Sequence, residues 1–220
     1  METRKVPIAP AGKVFVKISK RFNDEIVTES GIRLFVDTSW KPEWNTVIHG
    51  EVVSIPHKMG RQFENLGIMP QVEVGDKIYF SWMVTLKKDR LFEVEEEDGS
   101  MSQYWVVDYF HIWCTVRDGQ VTMIGGKVLV EPITEQKEDK IGSIIVPDAY
   151  RKSKLVKKGI LRHIGEPIEG EPYLDVEPGD VVYFPENCAF INEIEGVEYY
   201  LFGQEYLHAK EAKCREEQYV

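Results

Sequence analysis

Val72-Glu73-Val74-Gly75-Asp76-Lys77-Ile78-Tyr79-Phe80 returns later in the chain as Val176-Glu177-Pro178-Gly179-Asp180-Val181-Val182-Tyr183-Phe184. In both copies a Gly-Asp pair stands directly before a run of β-branched and aromatic residues. That order reads as a tight turn feeding a strand, because glycine supplies the dihedrals and aspartate bonds its own backbone. Three further pairs keep the same order: Gly12-Lys13-Val14-Phe15-Val16-Lys17 with Gly126-Lys127-Val128-Leu129-Val130-Glu131, His49-Gly50-Glu51-Val52-Val53 with Lys158-Gly159-Ile160-Leu161-Arg162, and Tyr104-Trp105-Val106-Val107 with Tyr199-Tyr200-Leu201-Phe202. Matches in a fixed order mark an internal duplication. The spacing between copies shrinks along the chain, so the first copy carries the longer loops. Two domains are expected, residues 1–118 and 119–220, meeting at Arg117-Asp118-Gly119-Gln120, where Asp-Gly favours a turn.

Each copy reads as β structure. The strand-like runs are short, bounded by Gly, Pro, Asp and Asn, and spaced as in a small barrel or sandwich. A helix is expected only at Gln204–Lys213, and the acidic Glu93–Gly99 segment is expected to end a strand and turn at Asp98-Gly99. The fold class is therefore all-β, two tandem small barrels or sandwiches with long loops after their first strands.

Those loops, about Ser19–Thr46 and Thr134–Lys157, are long for a compact domain, and such loops are commonly functional. The second runs from a charged lead, Thr134-Glu135-Gln136-Lys137-Glu138-Asp139-Lys140, through a Gly-Ser pair to the apolar Ile144-Ile145-Val146. The first runs from Asn23-Asp24-Glu25 to Ile32-Arg33-Leu34-Phe35. A polar tether that displays a short apolar plug is suited to a groove on another molecule, with ordering entropy lost on binding. Trp40 and Trp44 sit in the first loop and are expected to pin it, while Trp82, Trp105 and Trp113 are expected in a core or interface.

The order of first strand, charged loop with an apolar plug, Gly-x-Val strand, hairpin, Val-x-x-Gly-Asp-x-Val-x-Phe strand and closing strand resembles the GroES-type co-chaperonins. It does so twice, which makes the chain similar to the tandem chloroplast forms. The resemblance implies two GroES-like, partly open β-barrels with mobile loops. It implies a homo-oligomeric ring that acts as a lid on a GroEL-type chaperonin ring, the plugs docking in apical grooves. The family plug falls on Ile144, Ile145 and Val146 in copy two, and on Ile32, Arg33 and Leu34 in copy one, where Arg33 departs from the pattern and Phe35 adds apolar bulk. The family's dome hairpin falls at about Gly165–Leu174, and at the longer His57–Met69 in copy one. Family rings are sevenfold, whereas two-domain chains supply even numbers of domains. A barrel that had lost its chaperonin would instead be a structural or assembly module, phage-encoded for instance.

Composition narrows the classes. With 27 Lys plus Arg against 37 Asp plus Glu, the net charge of −10 repels nucleic acid, and no such partner is expected. No run is long and apolar enough to suggest a membrane span, and Met1–Lys13 lacks the apolar centre of a secretion signal, so a cytoplasmic protein is expected. Cys114, Cys188 and Cys214 are scattered, without a C-x-x-C pair, which fits a reducing compartment and no metal site. Gly125-Gly126-Lys127-Val128 superficially resembles a phosphate loop, but Val121 and Val128 replace its leading glycine and its magnesium-binding hydroxyl. His49, His57, His111, His163 and His208 show no metal-ligand spacing, and neither a nucleophile elbow nor a dinucleotide fingerprint occurs. No enzyme and no cofactor are expected.

Overall fold

The computed structural model describes residues 8–28, 30–66, 71–95, 101–133, 140–141, 144–145, 156–168, 174–188 and 191–211. The chain divides into two units, residues 1–125 and 126–220. In unit 1 the elements are β1 (Lys13–Lys17), β2 (Glu25–Val27), β3 (Arg33–Phe35), α1 (Pro42–Asn45), β4 (His49–Ser54), α2 (Arg61–Glu64), β5 (Lys77–Phe80), α3 (Met83–Leu86), β6 (Leu91–Glu95), β7 (Met101–Asp108), β8 (Ile112–Arg117) and β9 (Gln120–Met123). Unit 2 holds β10 (Lys127–Pro132), β11 (Lys140–Ile141), β12 (Ile144–Ile145), β13 (Val156–Ile164), β14 (Val181–Pro185), β15 (Ile191–Ile194), β16 (Val197–Gly203) and β17 (Ala209–Lys210).

The main sheet of unit 1 runs β6-β7-β1-β4-β5-β8-β9, and that of unit 2 runs β15-β16-β10-β13-β14-β17. Strand for strand, the second order repeats the first six of the first, and the ladders are antiparallel throughout. The fold is all-β, as expected. Short helical turns, α1, α2 and α3 among them, interrupt the strands of unit 1. None of the described helices is long and apolar enough to cross a membrane.

Alternation along the strands builds the cores. Val14, Val16, Val52, Ile78, Phe80, Trp105, Val107 and Ile112 are buried in one cluster in unit 1. Val128, Val130, Leu161, Val182, Phe184 and Phe202 form the cluster of unit 2. The ladders slip at matching places, between Phe15 and Val16 and between Leu129 and Val130. Matching glycines accompany them: a β-carbon on Gly50 would stand 2.5 Å from Val16 Cγ1, and one on Gly159 would stand 2.5 Å from Val130 Cγ1. The strands approach closely enough that only a residue without a side chain fits.

The quoted Gly-Asp pairs are scaffold. Gly75 and Gly179 have φ of +96° and +99°, and Asp76 and Asp180 are buried. Asp76 Oδ2 accepts the Glu73 N–H at 2.7 Å, and Asp180 Oδ2 accepts that of Glu177 at 3.0 Å. Arg117 donates to both oxygens of Asp76, at 2.7 and 2.9 Å, while Lys210 lies 3.4 Å from Asp180. The last strand of each six-strand set thus brings a cation to the buried turn carboxylate.

Several expectations are corrected. Gln204–Lys213 is not a helix in its described part. Gln204–Tyr206 is one 3-10 turn, and Ala209–Lys210 pairs with β14, because the N–H groups of His208 and Glu211 bond to the carbonyls of Tyr183 and Val181. Residues 212–213 lie outside the described residues. The segment from His57 is no projecting hairpin as far as residue 66, since α2 turns Phe63 into the core, stacked 4.6 Å from Phe110 and edge-on to Tyr109. Residues 67–70 and 169–173 lie outside the description. Strands β6 and β7 pair as arms of a hairpin whose connecting residues 96–100 are likewise outside it. Asp118 and Gly119, with φ of +50° and +77°, form the two-residue turn that folds β9 back on β8.

Candidate functional site

The first long loop is a two-stranded arm. At its root the Val47 N–H bonds to the Arg21 carbonyl at 3.0 Å, Phe22 bridges Thr46, and the Asn23 N–H reaches the Asn45 carbonyl at 2.7 Å. Arg21 fastens this root to the body: its Nε and Nη2 donate to the carbonyls of Thr85 and Leu86 at 2.8 and 2.9 Å. Those carbonyls close α3, where a cation is favoured by the partial negative charge of unpaired C=O groups. Beyond the root, β2 and β3 pair antiparallel, with Glu25 opposite Phe35, Ile26 opposite Leu34 and Val27 opposite Arg33. The tip closes at Thr28, whose N–H bonds to the Ile32 carbonyl and whose Oγ1 accepts the Ile32 N–H, while Gly31 takes φ +80°.

This register sorts the side chains. Because successive residues of a strand face opposite sides, Ile26, Ile32 and Leu34 share one face, and Val27, Arg33 and Phe35 share the other. Ile32 is 58% exposed, Leu34 50% and Phe35 79%. The three plug residues named from the sequence are therefore out in solvent, two on one face and Phe35 on the other. Arg33 does not interrupt the Ile26–Ile32–Leu34 face; it lies across the hairpin with Nη1 3.7 Å from Glu25 Oε2.

Between Val36, whose N–H bonds to the Asp24 carbonyl, and Asn45 the arm bulges. Asp37 Oδ1 accepts the Ser39 N–H at 2.9 Å and also its hydroxyl, and these bonds hold the Asp37 carboxyl below its ordinary range. Lys41 follows at φ +50°, then α1 with Pro42 at its start. Trp40 and Trp44 are not buried pins; they are 70% and 73% exposed. Trp105 is buried as expected of a core residue, and Trp82 is partly exposed. Sequence reading missed Ile26 and Val27, exposed on opposite faces of the hairpin, and the exposure of the tryptophan pair. The alternation Glu25-Ile26-Val27-Thr28 before Ser30-Gly31 is the hairpin signal that could have found them.

In unit 2 the equivalent place, between β10 and β13, holds the small ladder of β11 and β12. Lys140 pairs with Ile145, and Ile141 with Ile144. Ile144 and Ile145 are thus on a paired strand; Val146 lies outside the described residues, as do residues 134–139 and 146–155. Among the described residues no group of three or more His, Cys, Asp or Glu is placed to hold a metal ion.

Two all-β sheets, each with a small antiparallel hairpin between its first strand in sequence and the next strand of the sheet, define the class of protein. The Chaperonin 10 Kd subunit family model matches residues 120–211. Co-chaperonin GroES of Pseudothermotoga lettingae is 31% identical over 91 residues, which is 41% of this chain and 96% of that protein. The chain belongs to the GroES, or chaperonin 10, family of co-chaperonins.

Proposed function

We propose that the chain caps a GroEL-type chaperonin ring as a lid made of two tandem GroES-like barrels, with several chains closing a homo-oligomeric ring. The plugs are Ile32, Leu34 and Phe35 in the first loop and Ile144, Ile145 and Val146 in the second. Family membership supports a co-chaperonin role, and with it a non-catalytic protein with no cofactor. The observation that carries the docking mode is the exposed apolar face Ile26–Ile32–Leu34. Three apolar side chains held in solvent on one side of an anchored hairpin lose little entropy on entering a groove, and burying each contributes about 1.5–3 kcal/mol before ordering costs. Scattered cysteines and acidic charge fit a cytoplasmic setting.

Chaperonin-dependent refolding of a denatured substrate tests this. Wild type assists, whereas Leu34→Asp and Ile145→Asp each lower the yield and together abolish it. Full assistance by the double variant removes the plug assignment. No binding of wild type to any GroEL-type ring, with or without nucleotide, leaves the assembly-module reading in its place.

A further inference from the structure

Resting on the lid reading above, we propose that the first arm carries a second recognition element: Trp40, Lys41 and Trp44 form an aromatic clamp around a cation that takes a carboxylate on the chaperonin surface beside the groove. Lys41 Nζ lies 4.1 Å from the Trp44 ring centre and 4.9 Å from that of Trp40. Such contacts orient an ammonium without neutralising it. The other cations of the arm are engaged: Lys20 lies 3.6 Å from Asp24, Arg33 3.7 Å from Glu25, and Arg21 donates to the α3 carbonyls. Among the described residues Lys41 meets no carboxylate; its neighbours are the two indoles. Asp37, earlier in the same bulge, is taken by Ser39.

The chemistry of the occupant follows. Two exposed indoles call for apolar area, and paired tryptophans are the side chains most enriched where interfaces concentrate their affinity. A positive charge between them calls for an acid, and an ion pair shielded by two indoles is screened less than one in open solvent. The chaperonin, rather than a second copy, is the occupant because the bulge grows out of the docking arm itself. The Val36–Asp24 bond lies on one side of it and the Asn23–Asn45 bond on the other, so whatever receives Ile26, Ile32 and Leu34 meets the clamp next to them.

Affinity of the full-length chain for a purified GroEL-type ring, measured by biolayer interferometry at low and near-physiological salt, decides the matter. Lys41→Glu, and Trp40→Ala with Trp44→Ala, are expected to weaken Kd by about tenfold or more. Lys41→Arg and the Trp40→Phe, Trp44→Phe pair keep charge and aromatic faces and should remain within about threefold of wild type. Lys41→Ala should flatten the salt dependence. Wild-type affinity in Lys41→Glu and in the alanine pair overturns the clamp while leaving the lid standing. So does sedimentation showing that these changes dissociate the chain's own oligomer with chaperonin affinity unchanged, which would make a second copy the occupant. Failure of wild type to bind at all sinks the lid and the clamp together. Matching circular dichroism and melting curves show that the variants fold.

Discussion

Asp76 shows how a buried charge is kept. Its carboxyl titrates below its ordinary value of 3.8, first because Arg117 hydrogen-bonds the ionised form, with the Glu73 N–H adding to this and burial opposing. Since the folded-state pKa is the lower one, the stabilisation is complete above the unfolded value, near pH 4, and is lost as pH falls through the folded value. Asp76→Asn should cost about 1–3 kcal/mol at neutral pH, and the gap from wild type should close as urea titrations move below pH 4. A gap that stays constant down to pH 2 would mean that the carboxylate contributes nothing special. At Gly159 the constraint is steric: an alanine β-carbon would meet Val130 Cγ1 at 2.5 Å and the Glu131 carbonyl oxygen at 2.6 Å. Gly159→Ala is expected to destabilise by about 1–3 kcal/mol through the backbone shift it forces, read as an earlier denaturant midpoint. The matching Gly50, 2.5 Å from Val16 Cγ1 and 2.6 Å from the Lys17 oxygen, should behave alike.

Among the elements, α2 gives the clearest energetic test. Phe63 is buried in the unit 1 core beneath Tyr109 and Phe110, and Gly12 leaves the room it occupies. Phe63→Ala should cost about 3–5 kcal/mol. All five tryptophans lie in the first copy, so their fluorescence reports this loss directly. The strands were legible because their signals are local: glycine at a turn, aspartate on its own backbone, β-branched pairs after it. The plugs Ile32, Leu34 and Phe35 were legible as an apolar run inside a polar loop. Their ladder with Glu25–Val27 was not, because the register is secured at the root by Arg21 donating to carbonyls of α3, far away in sequence. The supposed helix after Gln204 failed for a related reason, since the edge of β14 claims N–H groups that a helix would use. Trp40 and Trp44 were read as anchors because large aromatics are commonly buried, and nothing local announces that Lys41 occupies the space between them.

At the scale of the whole molecule, many weak arms on one ring would act together, because each bound arm raises the effective concentration of the next, lifting avidity by roughly 10²–10⁴. Mixing wild type with a Leu34→Asp, Ile145→Asp variant at rising fractions should therefore give a steep, curved loss of refolding activity. A straight line would mean that each chain engages the chaperonin alone.

Where the halves are divided matters at the bench. The family match begins at Gln120, the first residue of β9, yet β9 is the edge strand of the first unit's sheet, and its last residue, Met123, and Ile124 after it are buried. Scissors placed at the homology boundary would strip the first half of its outermost strand, baring β8 to sticky edge-on pairing with strangers. Cutting after Gly125 instead hands each half the pieces it folds with.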